Sequence, residues 1–131
     1  MSSLVDTSVL VCYLTGDPPD LAERAAAIVD GEEDLLITDV AIAEAAGVLT
    51  SVYGVARAKV VDGLVELLQK ENLQPFRLDK IVVIEALLLC RPSGRVSFAD
   101  ALIWAAARVG GVECVYTVDD RVPNTEVEFR G

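Results

Sequence analysis

The sequence predicts a three-layer α/β/α fold, in which helices cover both faces of a mainly parallel central sheet of four to five strands. Short apolar segments alternate along the chain with longer amphipathic ones. Strands that are separated by single helices are usually joined by right-handed parallel crossovers. A length of 131 residues and a hydrophobic content of 53% are sufficient for one continuous core. Residues 1–131 are therefore predicted to form a single domain.

The first part of the chain is predicted to contain a strand and two helices. The strand is Ser3–Val5, and side-chain oxygens directly after it are suited to start a helix that ends near Gly16. The next helix is predicted to have Asp17 as its cap, Pro18 at its first position and Gly31 at its end. The face of this helix that we expect to be buried consists of Leu21, Ala25, Ile28 and Val29.

The middle of the chain continues the alternation. A second strand is predicted at Leu35–Thr38, and either Thr38 or Asp39 can cap the helix that follows it. Residues 56–70 form a further amphipathic helix, and a third strand is predicted at Leu73–Leu78. A proline inside this strand suggests an edge position or a bend. The apolar side of helix 56–70 consists of Val60, Val61, Leu64, Leu67 and Leu68.

The last part of the chain is predicted to hold two helices and two strands. Asp79 caps residues 80–90, which are apolar almost all round and therefore either central or part of a subunit interface. Ser97 caps a helix that stops at the glycine pair 110–111. The remaining predicted elements are a fourth strand at Cys114–Thr117, a turn at Asp119 and Asp120, and a fifth strand at Val127–Phe129.

Composition excludes several classes of function. The net charge of −10 argues against a nucleic-acid binder that depends on a broad basic surface. The chain has no histidine, so any catalysis must use carboxylates, hydroxyls or a bound ion. Three widely spaced cysteines form no CxxC pair and are expected to be reduced core residues. No spanning or targeting segment is evident, and we expect a soluble cytoplasmic protein without membrane contact.

Isolated carboxylates mark three apolar segments. Glu44 is the single charged residue in VAIAEAAGVLTSVYGVA, and Asp6 and Asp100 are similarly isolated in their own segments. We expect these three side chains to be buried. An ionised carboxylate in an apolar setting is costly unless a positive charge compensates it, and none of these segments supplies a lysine or an arginine.

The order of elements predicts that four acids meet. Ligands of open parallel sheets bind outside the carboxyl ends of the strands. Asp6 stands at the end of the first predicted strand and Asp119 follows the fourth, whereas Glu44 and Asp100 lie within the first two turns of their helices. Carboxylates brought together without histidine or thiolate select hard cations such as Mg²⁺ or Mn²⁺. Such an ion usually serves phosphate chemistry.

Each acid also has an ordinary structural interpretation. Asp6 can be a helix cap, and Asp119 or Asp120 can be turn residues. Glu44 and Asp100 can be satisfied by backbone amides or by a distant arginine. The coincidence of all four in one pattern favours the metal site.

Four segments in order resemble the PIN-domain family, and within it the VapC-type ribonuclease toxins of VapBC toxin–antitoxin modules. They are LVDTSVLVCYL, ITDVAIAEAAGVLTSVYG, VSFADALIWAAARVGG and VYTVDD, and together they extend over nearly the whole chain. The resemblance implies an α/β/α fold and a Mg²⁺- or Mn²⁺-dependent endoribonuclease acting on single-stranded or structured RNA. It also implies a homodimer that a cognate antitoxin neutralises.

The same resemblance assigns the site residues. Asp6, Glu44, Asp100 and Asp119 match the four family acids, and Asp119 is preferred to Asp120 because the acid follows two residues after the threonine. Some relatives carry a further acid at the position of Ser97, which leaves open whether one or two metal ions bind. RNA contact would fall to Arg91, Arg95, Arg121 and Lys80, although each is equally compatible with ordinary solvated charge.

Two other functions are compatible with the sequence. One is a PIN-fold binding module with little or no turnover, which would use the apolar faces of residues 56–70 and 80–90. The other is an aspartate-dependent phosphatase or phosphoacceptor domain. It is disfavoured because Ser8 stands where such phosphatases have a second aspartate.

Overall fold

A computed structural model describes residues 2–118 and 127–130 of the chain as six helices and five strands. The helices are α1 (Thr7–Thr15), α2 (Pro19–Val29), α3 (Asp39–Ser51), α4 (Arg57–Leu68), α5 (Lys80–Leu89) and α6 (Phe98–Val109). The strands are β1 (Ser2–Val5), β2 (Asp34–Ile37), β3 (Leu73–Pro75), β4 (Cys114–Tyr116) and β5 (Glu128–Arg130).

All pairings between the described strands are parallel, which confirms the predicted fold class. The first sheet has the order β1-β2-β3, and β4 pairs with β5 in a second ladder. Val5 lies opposite Ile37, and Ile37 lies opposite Pro75. The three strands of the first sheet therefore end at the same level, and the residues that follow them lie along one edge.

The hydrophobic core is formed largely by the helices that follow these strands. The predicted apolar face of α4 is confirmed, because all five of its side chains are buried. Helix α3 contributes a second buried face, and α6 buries the single tryptophan of the chain, Trp104. The buried residues of α3 are Ala41, Ile42, Ala45, Ala46 and Leu49.

The prediction that Asp17 caps the second helix is wrong. Helix α2 begins at Pro19, and its N-cap is Pro18, which has an extended backbone and makes no capping hydrogen bond from its side chain. The physical reason is the proline pair, since a residue before proline is disfavoured in the α conformation. Pro18 is therefore kept out of the helix, and Pro19 takes the first helical position.

Two predicted core residues of α2 are instead partly exposed. Ala25 and Val29 are buried, but Leu21 is 40% and Ile28 42% exposed. These two side chains line a groove between α1 and α2, which Arg24 also borders. The apolar face of this helix is therefore wider than the surface that the fold covers.

The third strand is shorter than predicted. It ends at Pro75: the Phe76 amide makes one last bond to the carbonyl of Ile37, and the chain then turns away from the sheet. Arg77 has a positive φ of 60° in this turn, and its guanidinium lies 4.8 Å from the ring centroid of Phe76. The edge position of β3 within the described sheet is confirmed.

One side chain joins the start of β3 to the connection that leads into β2. The amide nitrogen of Asn72 lies 3.1 Å from the carbonyl of Val29, 3.3 Å from that of Gly31 and 3.2 Å from that of Glu33. Backbone carbonyls that leave a helix need new donors, and the Asn72 side chain supplies one to all three. It thereby holds in place a connection that has no regular secondary structure.

Helix α5 is only partly the central helix that its composition predicts. Val83, Ala86 and Leu87 are buried, whereas Ile81 is 69% and Leu88 47% exposed. In the part of the chain that the structure describes, no helix has the length and apolarity required to cross a membrane.

Candidate active site

Asp6 connects β1 to α1 and is the N-cap of that helix. Its Oδ1 accepts hydrogen bonds from the backbone amides of Ser8 (3.0 Å) and Val9 (3.4 Å) and from the Ser8 hydroxyl (2.6 Å). The interpretation of Asp6 as a helix cap is thereby confirmed. Its side chain is exposed rather than buried, so the prediction of burial is wrong.

The capping bonds use only one of the two carboxylate oxygens. All three described bonds end on Oδ1, which leaves Oδ2 open to solvent or a ligand. The Ser8 hydroxyl, aided by the Val9 and Ser8 amides, holds the pKa of the Asp6 carboxyl below its usual value of 3.8, although slight desolvation opposes this. Asp6 is consequently ionised at neutral pH and held in one orientation.

The lowered pKa of Asp6 predicts a pH-dependent contribution to stability. A carboxyl whose pKa is depressed by folding stabilises the protein above its unfolded pKa, and this contribution disappears as pH falls through the folded pKa. Asparagine at this position does not titrate. We expect the difference in unfolding free energy between wild type and Asp6→Asn to be constant from pH 7 to about pH 5 and to shrink between about pH 4 and pH 2.

Urea denaturation of both proteins at pH 7, 5 and 3 measures this difference. All other carboxyls are shared by the two proteins, and their contributions cancel in the comparison. A difference that is the same at pH 7 and pH 3 would show that the capping bonds do not favour the ionised form.

Glu44 is exposed, and the prediction that it is buried is wrong. Helix α3 is so rich in alanine that it looks apolar all round, but its core contacts come from one face. Glu44 lies on the other face, where Val40, one turn before it, is 70% exposed. Since desolvating an ionised carboxylate is costly, the charge remains at the surface. It has no hydrogen bond or ion pair within the described residues.

Asp100 lies in the first turn of α6 and is half-buried. Ser97 is the N-cap of this helix, and its Oγ accepts a hydrogen bond from the backbone amide of Asp100 at 3.0 Å. The serine found in place of the additional acid of some relatives thus serves as a helix cap. The Asp100 carboxylate makes no hydrogen bond or ion pair in the described part of the chain.

The structure thus describes three of the four predicted acids, and Asp119 and Asp120 lie outside the described residues. Contacts join α1 to α3 and α3 to α6, so the helices that bear or follow these acids are neighbours. Within residues 2–118 and 127–130, however, no three acidic, cysteine or histidine side chains lie close enough together to hold a metal ion. The oxygen donors fit a hard divalent cation in chemistry, and their assembly around one ion is a proposal.

Two of the four cations predicted to contact RNA are already engaged. Arg91 forms a two-point ion pair with Asp62 at 2.8 and 2.9 Å, and Lys80 donates to the carbonyl of Lys70 at 3.0 Å. The Arg95 side chain has no partner among the described residues, and Arg121 lies outside them. Arg95 is therefore the described member of the predicted set that is available to a phosphate.

Sequence reasoning missed Arg57, which the fold places beside the start of α6. Its guanidinium donates to the carbonyls of Cys90 and Val96 and lies 4.4 Å from the ring centroid of Phe98. No local pattern could reveal this, because the partners are more than thirty residues away in sequence.

Comparison with known protein families identifies the fold. Residues 3–128 match the family described as PIN domain, which is nearly the whole chain. The chain belongs to the PIN domain family. No curated protein matches it significantly. PIN domains are in general nucleases that use divalent metals and act on RNA. The family resemblance of the four sequence segments is thereby confirmed at the level of the PIN domain.

Proposed function

We propose that this PIN domain is a Mg²⁺- or Mn²⁺-dependent endoribonuclease that hydrolyses RNA phosphodiester bonds. The observation that carries the proposal is that three carboxylates on neighbouring elements of a PIN domain have no cationic partner among the described residues. Asp6, Glu44 and Asp100, together with Asp119, would hold the ion or ions directly or through water. Unpaired acids of this kind are the oxygen ligands that such cations require.

The residues of the chain have distinct parts in this proposal. When it is bound, a divalent ion polarises the phosphoryl oxygens and lowers the pKa of the water molecule that it holds. Asp6 is ionised and fixed by its cap, so its Oδ2 is available without a rearrangement. Glu44 offers a solvent-exposed carboxylate, and Asp100 offers a half-buried one in the first turn of a capped helix. A carboxylate oxygen that does not bind metal can serve as a general base.

In the cell we propose that the protein is the toxin of a type II toxin–antitoxin pair, VapC-like, cytoplasmic and homodimeric. Exposed apolar side chains that share one helix face offer surface to a protein partner, as Ile81 and Leu88 do seven residues apart on α5. Val40 and Val52 are exposed as well. A groove of about 320 Å³ that Leu14, Leu49 and Val60 line, together with the charged Lys59, is a further candidate surface for the antitoxin.

The test is cleavage of end-labelled single-stranded RNA by the purified protein with Mn²⁺ and with EDTA. We expect cleavage in Mn²⁺ and none in EDTA. Glu44→Gln is expected to reduce the rate about tenfold or more, because it removes a charged ligand while keeping its shape. Glu66→Gln is the matched control on another exposed helix face and should leave the rate unchanged.

A second candidate function is a PIN-fold binding module with little turnover, which the exposed apolar residues also favour. It would be supported if the folded, partner-free protein cut no RNA under any metal condition but bound a small basic protein at a fixed ratio. The phosphatase alternative is weaker, since Ser8 uses its hydroxyl to donate to Asp6 at 2.6 Å. Trapping of an acyl phosphate on Asp6 would support it instead.

A further inference from the structure

Arg57 makes an unusual set of contacts for a residue at the start of a helix. It is the first residue of α4, and its side chain leaves that helix to reach the connection between α5 and α6. Its Nε donates to the carbonyl of Cys90 at 2.5 Å, and its terminal nitrogen donates to the carbonyl of Val96. The guanidinium also stacks on Phe98, which is 7% exposed.

These contacts hold both ends of one short connection. Cys90 is the C-cap of α5, where carbonyls lack helical partners. Val96 directly precedes Ser97, the N-cap of α6, and Phe98 is the first residue of that helix. A single planar guanidinium therefore links the end of α5 to the start of α6.

The start of α6 is also where Asp100 lies. Asp100 is two residues beyond Phe98, and its amide is bonded to the Ser97 hydroxyl. The buried Cys90 thiol donates to the carbonyl of Ser97 at 3.6 Å, directly beside this turn. Burial above all raises the pKa of this thiol; Arg57 opposes the shift and Asp100 adds to it. Arg57, Cys90 and Asp100 thus belong to one compact group of side chains.

We propose that Arg57 is a positioning residue that fixes Asp100 for metal binding by holding the first turn of α6 in place. This inference rests on the proposed function, since it assumes that Asp100 is a ligand. Outer contacts that orient a metal ligand typically change metal affinity by about 10- to 100-fold when they are removed. Arg57 itself contacts neither the ion nor the RNA in this proposal.

The test compares Mn²⁺ binding to the full chain by isothermal titration calorimetry. Arg57→Met keeps the aliphatic stem but removes both donors, and we expect its Mn²⁺ affinity to fall about tenfold or more. Arg57→Lys keeps the charge but replaces the two separated donors of the planar guanidinium, and its stacking on Phe98, by a single ammonium nitrogen, and we expect an intermediate loss. Arg91→Met is the matched control and should keep the wild-type Mn²⁺ affinity, because among the described residues the Arg91 side chain pairs only with the exposed Asp62.

A second measurement separates positioning from general destabilisation. Amide hydrogen exchange without metal should become faster in residues 97–101 of the Arg57 variants, while the amides of α1 and α3 keep their protection. If Arg57→Met fails to fold, the comparison of Arg57→Lys with wild type carries both measurements.

The outcomes distinguish this inference from the proposed function. Saturable Mn²⁺ binding by wild type, together with unchanged affinity in folded Arg57 variants, would overturn the role of Arg57 and leave the nuclease proposal standing. No saturable Mn²⁺ binding by wild type would overturn the proposed metal site and this inference with it. Weaker binding combined with faster exchange confined to the start of α6 would support it.

Discussion

Asp6→Asn is expected to reduce Mn²⁺-dependent RNA cleavage by a factor on the order of 100 or more while leaving the melting temperature nearly unchanged. Cleavage is lost because asparagine removes the negative charge of Asp6, whose Oδ2 is free at the carboxyl end of β1. Most of the stability is retained because asparagine caps helices about as well as aspartate, and the loss is limited to the small contribution of the ionised carboxylate. Cleavage assays and thermal melts of the same preparation check both halves of the prediction.

Asp6→Ala separates the two functions of the residue. Alanine removes the charge and also the acceptor for the Ser8 and Val9 amides, so cleavage and stability should both fall. The loss of an N-cap costs typically about 1 kcal/mol of unfolding free energy. Wild-type cleavage by either variant would remove Asp6 from the site.

Asp79 is the matched control, because it has the same structural role without a proposed role in chemistry. Its Oδ1 accepts from the amides of Ile81 (2.9 Å) and Val82 (3.2 Å) at the start of α5. Asp79→Asn should change neither cleavage nor stability. Asp79→Ala should reduce stability by about as much as Asp6→Ala does, with cleavage retained at temperatures where the protein is folded.

Leu64→Ala is expected to lower the free energy of unfolding by about 2 to 5 kcal/mol, which is the usual cost of truncating a fully buried leucine. Leu64 is 1% exposed on α4, where its neighbours Val60, Val61 and Leu68 are also buried. Domains of this size are stable by only about 5 to 15 kcal/mol. This single change should therefore remove a large fraction of the total stability.

Urea unfolding at neutral pH measures this effect, and Leu88→Ala is its control. Leu88 is 47% exposed on α5, so its truncation should cost well under half as much. Equal losses in the two variants would contradict the placement of α4 against the core. A large loss at Leu88 alone would instead indicate that this residue is covered by a second subunit.

The features that were predictable from sequence are those that local chemistry determines. The glycine that ends α1 adopts a φ of 71°, as expected of a left-handed C-cap, and the caps at Asp79 and Ser97 were found as predicted. The buried face of α4 followed from its periodicity alone. In each case residues within one or two turns of each other decide the outcome.

The predictions that failed concern features that depend on contacts between distant parts of the chain. Glu44 is surrounded in sequence by alanine and valine, but burial depends on which face of α3 the other helices cover. Leu21 and Ile28 have the correct spacing for a core face and nevertheless border an open groove. Arg57 acquires its importance only through carbonyls on another element, and no pattern within its own helix could have indicated this.

The parallel pairing of β1, β2 and β3 has a consequence for how the protein is made. Ser2 pairs with Asp34, and Leu35 pairs with Leu73, so neither ladder can close before a whole crossover has been synthesised. Asp100 comes later still, on α6, which follows all three strands of this sheet. A chain emerging from the ribosome therefore carries Asp6 and Glu44 long before the third acid exists. On the proposed mechanism, a nascent chain cannot assemble the metal site, and so cannot cut the messenger RNA from which it is being translated, until Asp100 and Asp119 have been synthesised.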